Sequence, residues 1–129
     1  MKRTKLRKLS KNPMRVLKRK AWKIFSEWIR KRDKYKCFTC SKQLTPQNSN
    51  AGHYIHKDCM DFNEKNINCQ CVFCNSFKHG NLIEYGIRLE KKYGYGILQT
   101  LKREGDQIKK FKKSELEQII KKYEEMFKS

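Results

Sequence analysis

Four cysteines are the residues whose type and spacing most directly imply chemistry. They form two Cys-x-x-Cys pairs, Cys37 with Cys40 and Cys71 with Cys74, and 30 residues separate the pairs. Each pair forms a tight turn that points two thiolates at one ion, and two pairs complete a tetrahedral four-sulfur shell. Soft thiolates select zinc or iron–sulfur over magnesium. The spacing therefore predicts a structural zinc knuckle, because a closed shell leaves no open coordination position for a reaction.

The cysteine count alone is also consistent with free buried thiols or with two disulfides. Six cysteines in a short secreted chain favour disulfides, whereas in a reducing cytosol the same count favours metal. The matched pairs favour the metal. Cys59 and Cys69 fall outside the spacing and are expected to be small apolar fillers, although Cys69 lies close enough to Cys71 to compete for the ion.

A histidine and two asparagines have defined positions relative to these cysteines. His53 follows Gly52 between the pairs, Asn66 lies five residues before Cys71, and Asn75 directly follows Cys74. These positions resemble the pattern of HNH, or ββα-metal, nucleases. Those enzymes place a histidine at the end of the first strand, an asparagine five residues before the third zinc cysteine, and a histidine or asparagine after the fourth.

The likeness extends to the phage NinG (Rap) recombination-nuclease family and covers roughly residues 35–103. The further positions that resemble this family are Gly52-His53-Tyr54, Asp61-Phe62-Asn63, Gln70-Cys71, Gly80-Asn81, Glu84-Tyr85, Leu89 and Tyr93-Gly94. The resemblance implies a structure-selective endonuclease that acts on branched DNA during phage recombination, in the cytoplasm of the bacterial host. By analogy with junction resolution it also suggests a homodimer.

The HNH likeness implies a role for each motif residue. His53 is the expected general base, because a neutral imidazole can deprotonate water near neutral pH. A hard cation, Mg²⁺ or Mn²⁺, would bind the scissile phosphate and stabilise charge on the leaving 3′ oxygen. Asn75 is expected to be one ligand of that cation. Asn66 is expected to stabilise the loop and to orient His53 through an amide hydrogen bond.

The sequence departs from many HNH enzymes at Gly52, where an aspartate or histidine would be a second cation ligand. The NinG-like pattern also has glycine there, which indicates different ligation rather than lost activity. His56 and Asp58 are near enough to replace the missing ligand, and His56 is favoured. His56 and His79 are otherwise surface histidines or phosphate contacts, and Asn81 is better explained as a helix cap.

The charge of the chain indicates a polyanionic partner. The net charge is +19, and residues 1–36 hold 16 lysines and arginines against only Glu27 and Asp33. Such a segment favours nucleic acid, since neutralising phosphates releases counterions, over an acidic membrane surface. No secretion signal or membrane-spanning stretch is apparent, so the cytoplasm is expected. The residues expected to contact phosphates without reading sequence are Arg15, Lys18, Arg19, Lys20, Arg30 and Arg32.

The pattern of the 129 residues predicts an α+β fold with four segments. A basic disordered tail over residues 1–12 precedes a basic amphipathic helix over 13–34, with Asn12 as N-cap and Pro13 as its first residue. A zinc-stapled HNH-like ββα-metal domain follows over 35–105. It contains one helix that starts with a capping box at Asn81 and Glu84 and ends at Gly94, and another that ends at Gly105. A C-terminal amphipathic helix lies within 106–129.

The C-terminal helix is predicted to open with a capping box at Ser114 and Glu117. Its apolar stripe is expected to be core, with a dimer face as the alternative. The residues of this stripe are Leu116, Ile119, Ile120, Tyr123 and Phe127.

The function predicted from these features is a metal-dependent DNA endonuclease with structural Zn²⁺ and catalytic Mg²⁺ or Mn²⁺. The alternative is a non-catalytic basic zinc module that binds nucleic acid, and a membrane-associated basic helix is a distant third. The charge and the cysteines fit the first two equally. His53, Asn66 and Asn75 discriminate between them, because a plain zinc ribbon does not need these residues.

Overall fold

The computed structural model describes residues 12–128, so the predicted disordered tail lies outside the described residues apart from Asn12. The elements are helix α1 (Pro13–Arg32), strand β1 (Ser49–His53), a short 3₁₀ turn (Asp58–Met60), strand β2 (Ile67–Cys71) and a π-helical turn (Phe73–Phe77). Helices α2 (Leu82–Tyr93), α3 (Ile97–Gly105) and α4 (Lys113–Lys128) follow. The mixed α+β class is confirmed. Among the described residues, no helix combines the length and apolarity that crossing a membrane requires.

Helix α1 begins as its sequence predicts. The Asn12 side-chain oxygen accepts hydrogen bonds from the backbone N–H groups of Met14 and Arg15, at 3.0 and 3.2 Å. Pro13 fits the first helical position, where the N–H that proline lacks has no helical partner. The helix extends to Arg32, close to the expected end.

The chain forms two compact units. Among the described residues, one unit lies within the ranges Met1–Phe25 and Phe111–Ser129, and the other comprises Ser26–Lys110. In the first unit, Leu116, Ile120 and Tyr123 of α4 are buried, so these three residues of the predicted stripe lie in the core, whereas Ile119 and Phe127 are half-buried. The Tyr123 ring meets the buried Phe25 ring edge-on, with centroids 5.0 Å apart.

The two predicted capping boxes are wrong in detail. Helix α4 begins at Lys113, and the Glu115 carboxylate accepts a hydrogen bond from the Lys112 N–H at 2.8 Å. The cap therefore lies two residues before the predicted Ser114. Asn81 does precede α2, but it adopts a left-handed conformation and makes no side-chain cap bond. Its amide instead donates to Cys74 Sγ at 3.7 Å.

The second unit is organised around a two-stranded antiparallel sheet. Its register pairs Ser49 with Cys71 and His53 with Ile67, so β1 ends at His53 as the HNH likeness implies. Every residue of β2 is buried. The polar side chains of β2 can be buried because they form hydrogen bonds inside the protein. Asn68, for example, accepts one from Arg32 at 3.0 Å and donates one to the Tyr85 hydroxyl at 3.1 Å.

Two contacts at the end of α1 fix strand β2. The Asp33 carboxylate accepts the Cys69 N–H at 2.8 Å and also pairs with Arg32 at 2.8 Å. Helices α2 and α3 add an apolar cluster around Tyr85, Leu89 and Leu101. Helix α2 ends at Gly94, as predicted, where φ is +95° and the N–H bonds to Glu90 O. Such a positive φ favours glycine.

Candidate functional site

The four cysteines of the predicted knuckle converge. One ligand atom from each of Cys37, Cys40, Cys71 and Cys74 lies within 4.8 Å of the others, and the sulfurs of Cys40 and Cys71 are 3.8 Å apart. The first pair lies in the turn after α1, Cys71 ends β2, and Cys74 lies in the π-helical turn. This donor set fits a metal ion such as zinc.

The surroundings of the four cysteine sulfurs differ in how strongly they favour the ionised thiolate form. Burial opposes ionisation of Cys37, but hydrogen bonds from Thr39 and the Cys71 backbone outweigh it and lower the pKa of Cys37 to about 6. Although Cys40 lies at the surface, loss of solvent and then the Cys37 sulfur raise the pKa of Cys40 to about 12. Without a cation the cluster therefore supports one thiolate more readily than several, so metal binding must displace protons.

The other two cysteines lie outside this cluster. Cys69 is fully buried in the apolar cluster that contains Leu44 and three of the ligand cysteines. Burial raises the pKa of Cys69 to about 12. Cys59 is half-buried, and its sulfur contacts the backbone carbonyls of Glu104 and Gly105.

His53 forms a pair with a carboxylate to which the sequence analysis gave no role. His53 Nε2 lies 3.0 Å from Asp61 Oδ1, and the two side chains are 17% and 20% exposed. Asp61 directly follows the 3₁₀ turn, which brings it back beside the end of β1. A carboxylate acceptor places the proton on Nε2 and leaves Nδ1 as the basic nitrogen.

His56 lies beside His53. Their rings are stacked with centroids 5.0 Å apart and an interplanar angle of 26°. Desolvation lowers the pKa of His56, the His53 ring lowers it further, and Asp61 opposes the shift. The neutral form of His56 is therefore favoured near His53.

Asn66 holds the loop between the strands. It is fully buried, its Oδ1 accepts the Ile55 N–H at 2.8 Å, and its Nδ2 donates to the carbonyls of Ile55 and Met60. Both amide hydrogens are thus used on the backbone. The expected loop role agrees with these contacts, whereas the side chain that the structure places on His53 is Asp61 rather than Asn66.

Asn75 lies next to Gly52. Its Oδ1 is 3.0 Å from the point where a Cβ on Gly52 would lie, and Gln70 Oε1 is 1.8 Å from the same point. His56, by contrast, contacts His53. These contacts place Asn75 beside Gly52 and His56 beside His53, at two successive residues of β1.

The predicted phosphate contacts separate into two groups. Arg15, Arg19 and Lys20 are exposed on α1, and Lys18 is half-buried. Arg30 and Arg32 instead brace the loops. Arg30 donates to Pro46 O at 2.9 Å, and Arg32 donates to Glu64 O at 2.8 Å.

A basic cleft of about 310 Å³ opens beside the first cysteine pair. Sequence reasoning missed it because its cations come from two distant segments. Its charged lining residues are Arg32, Asp33, Lys34, Lys36, Arg88 and Lys92. Arg88 is anchored to Ser41 Oγ at 2.7 Å and to Glu84 at 2.8 Å.

Residues 1–129 match the family model described as Bacteriophage Lambda NinG protein. Protein ninG of Escherichia phage lambda is 37% identical over 94 residues, which are 70% of this chain and 46% of the relative. Protein ninG of Salmonella phage P22 is 34% identical over 101 residues, which are 75% of this chain and 49% of the relative. The chain spans about half the length of the curated relatives it matches. No solved structure matches it.

Proposed function

Because this chain belongs to the NinG family of phage proteins, we propose that it is a metal-dependent DNA endonuclease of the HNH type that acts on branched DNA. The observation that carries the proposal is the His53–Asp61 pair at the end of β1. The same two-stranded sheet ends at Cys71 of the four-cysteine cluster. The cluster would then act as a scaffold that holds β2 and the turn carrying Asn75 in register with His53.

The chemistry assigned to His53 is proton abstraction from water. With the Nε2 proton bonded to Asp61, Nδ1 accepts the proton of the attacking water. The Asp61 carboxylate then stabilises the imidazolium that results, as an acidic partner of a catalytic histidine does in other hydrolases. Both side chains keep part of their surface exposed, at 17% and 20%, so water can reach the pair.

The side chains near Gly52 fit a hard divalent cation. Asn75 offers an amide oxygen there, beside a buried oxygen of Gln70 that has no hydrogen-bond partner among the described residues. Oxygen donors of this kind suit Mg²⁺ or Mn²⁺. When bound, such an ion stabilises negative charge on the phosphate and the leaving oxygen. Asn75 would hold it.

Two surface features support DNA as the substrate. The basic cleft between Lys34, Lys36 and Lys92 offers cations to a phosphate backbone. Phe73 and Phe77 are 57% and 74% exposed in the same turn as Asn75. Exposed aromatic rings stack on unpaired bases, which branched DNA presents at its junctions.

The decisive test is cleavage of linear, flapped and four-way DNA by the zinc-loaded protein with Mg²⁺ or Mn²⁺. We expect His53→Ala to lower the rate by about 10²- to 10⁴-fold, the usual contribution of a general base. His79→Ala is the matched control and should cleave like the wild type. Equal cleavage by His53→Ala and the wild type would contradict the base assignment.

The same experiment separates the nuclease from the non-catalytic zinc module. Gly52 offers no side-chain ligand, which is the one observation that favours the module. Salt-sensitive DNA binding without cleavage under any divalent metal would establish the module instead.

The preference for branched DNA has its own test. Phe77→Ala should weaken binding to flapped and four-way DNA more than to linear duplex, because only unpaired bases lose a stacking surface. Ile83→Ala is a suitable control, since Ile83 is 85% exposed but has no aromatic ring. An equal loss on all substrates would contradict the stacking role.

A further inference from the structure

Gln70 has a buried side-chain oxygen, Oε1, that accepts no hydrogen bond from the described part of the chain. Its side chain is fully buried, and Nε2 donates to Thr39 Oγ1 at 3.0 Å and to Gly80 O at 2.9 Å. The Gly80 carbonyl requires a donor, so the amide cannot be turned over without placing two oxygens face to face. Oε1 has no hydrogen-bond partner among residues 12–128. A buried acceptor of this kind is unfavourable unless a donor or a cation pairs it.

The unpaired oxygen lies where the side chain of residue 52 would begin. A Cβ on Gly52 would be 1.8 Å from Gln70 Oε1, so no side chain fits there while Gln70 keeps its position. Gly52 directly precedes His53, the position at which many HNH enzymes carry a cation ligand. Gly52 has no side chain that could supply a ligand oxygen at this position, and the Gln70 amide places an oxygen there instead.

A second oxygen borders the same place. Asn75 Oδ1 is 3.0 Å from the Gly52 Cβ position, and Asn75 is only half-buried. Both oxygens lie within 3.0 Å of this one point, and two acceptors so placed repel each other unless a positive group lies between them. Amide oxygens are ligands that hard divalent cations accept.

We propose that Gln70 Oε1 and Asn75 Oδ1 together hold the divalent cation, with Gln70 supplying the ligand that Gly52 lacks. The proposal rests on the proposed function only for what the ion does once it is bound. It replaces His56 as the second ligand, because the three atoms nearest the Gly52 Cβ position belong to Gln70 and Asn75, whereas the His56 ring stacks on His53. Because both ligands are neutral, the site binds a cation weakly until a DNA phosphate adds negative oxygens.

The test is a titration of the zinc-loaded protein with Mn²⁺, followed by the electron paramagnetic resonance signal of the free ion. We expect Gln70→Met and Asn75→Ala each to weaken Mn²⁺ binding by about tenfold or more, since each removes a ligand oxygen. Asn68→Ala is the matched control: it also removes a buried amide of β2 but should leave Mn²⁺ affinity unchanged.

Unchanged Mn²⁺ affinity in Gln70→Met overturns the proposal, and so does loss of binding in His56→Ala with Gln70 intact. If Gln70→Met fails to retain zinc, the double variant Gly52→Asp/Gln70→Ala decides. This double variant removes the clash at residue 52 and supplies a carboxylate oxygen there. Mn²⁺ binding at least equal to that of the wild type supports the proposal, and absence of binding refutes it.

Failure of this inference is distinguishable from failure of the nuclease proposal. Gln70-dependent Mn²⁺ binding in a protein that cleaves no DNA leaves the cation site standing and removes the nuclease. If a Gln70→Met variant cleaves DNA and binds Mn²⁺ like the wild type, the role of Gln70 as a ligand is refuted and the nuclease proposal stands.

Discussion

The His53–Asp61 pair allows a quantitative prediction for Asp61→Asn. The atoms are 3.0 Å apart, and both side chains are mostly shielded from solvent. Two unit charges at about this distance attract by about 1.4 kcal/mol in water and by about 5.5 kcal/mol at an effective dielectric constant of about 20. Hydrogen bonds to charged groups contribute about 1.5–3 kcal/mol, which lies between those limits. Since about 1.4 kcal/mol corresponds to tenfold, we expect Asp61→Asn to slow DNA cleavage by about 10- to 150-fold.

The assay is single-turnover cleavage of four-way DNA with Mn²⁺ at saturating protein concentration. Asp58→Asn is the matched control, because Asp58 is an exposed carboxylate in the turn that immediately precedes Asp61. It should leave the rate within about twofold of the wild type, as exposed surface charges contribute little.

A double-mutant cycle tests the mechanism directly. If Asp61 acts only through His53, then Asp61→Asn should have almost no further effect in a His53→Ala background. Rate losses that multiply in the double variant would show that Asp61 acts independently of His53, and the reasoning would be refuted. An Asp61→Asn rate equal to that of Asp58→Asn would refute it as well.

Three further predictions concern stability, metal and DNA. Tyr85→Phe removes a buried hydroxyl that donates to Gly52 O at 2.7 Å, so urea denaturation should show a loss of about 1–3 kcal/mol, and a loss below about 0.5 kcal/mol would contradict it. The pKa of Cys40 is raised to about 12 and that of Cys71 is also raised, so protons compete with the ion and zinc affinity should fall as the pH falls. A chromogenic chelator measures this affinity, and a pH-independent value would contradict the thiolate site. Lys36→Glu should weaken binding to all DNA sequences alike and reduce the salt slope by about 1, in contrast to Lys91→Glu outside the cleft. A loss confined to one sequence would argue against backbone contact.

Local signals in the sequence were sufficient for much of the fold. The N-cap at Asn12 and the glycine at the end of α2 act through hydrogen bonds within a few residues, and Pro13 acts through its fixed φ and its missing N–H, so none of the three depends on the rest of the chain. The paired Cys-x-x-Cys spacing likewise predicted the four-sulfur cluster, since each pair is a local turn. The capping boxes failed because a local pattern allows several registers and the neighbouring contacts select one, as Glu115 does with Lys112.

Only the tertiary structure decided how the candidate site is completed. After β1 the chain passes through a loop and a 3₁₀ turn and comes back, so that Asp61 lies beside His53. The sequence spacing of these two residues does not predict their contact. Gln70 reaches the place beside Gly52 from the paired strand, where the absence of a side chain at one residue makes room for the amide of another. Arg32 was predicted to bind phosphate from its charge alone, but the carbonyls that it meets lie more than thirty residues away along the chain. Residue types and local spacing thus predicted the helices and the four-cysteine cluster. The hydrogen-bond partners of the polar side chains could not be predicted in this way. They come from distant segments of the chain, which meet only when it folds.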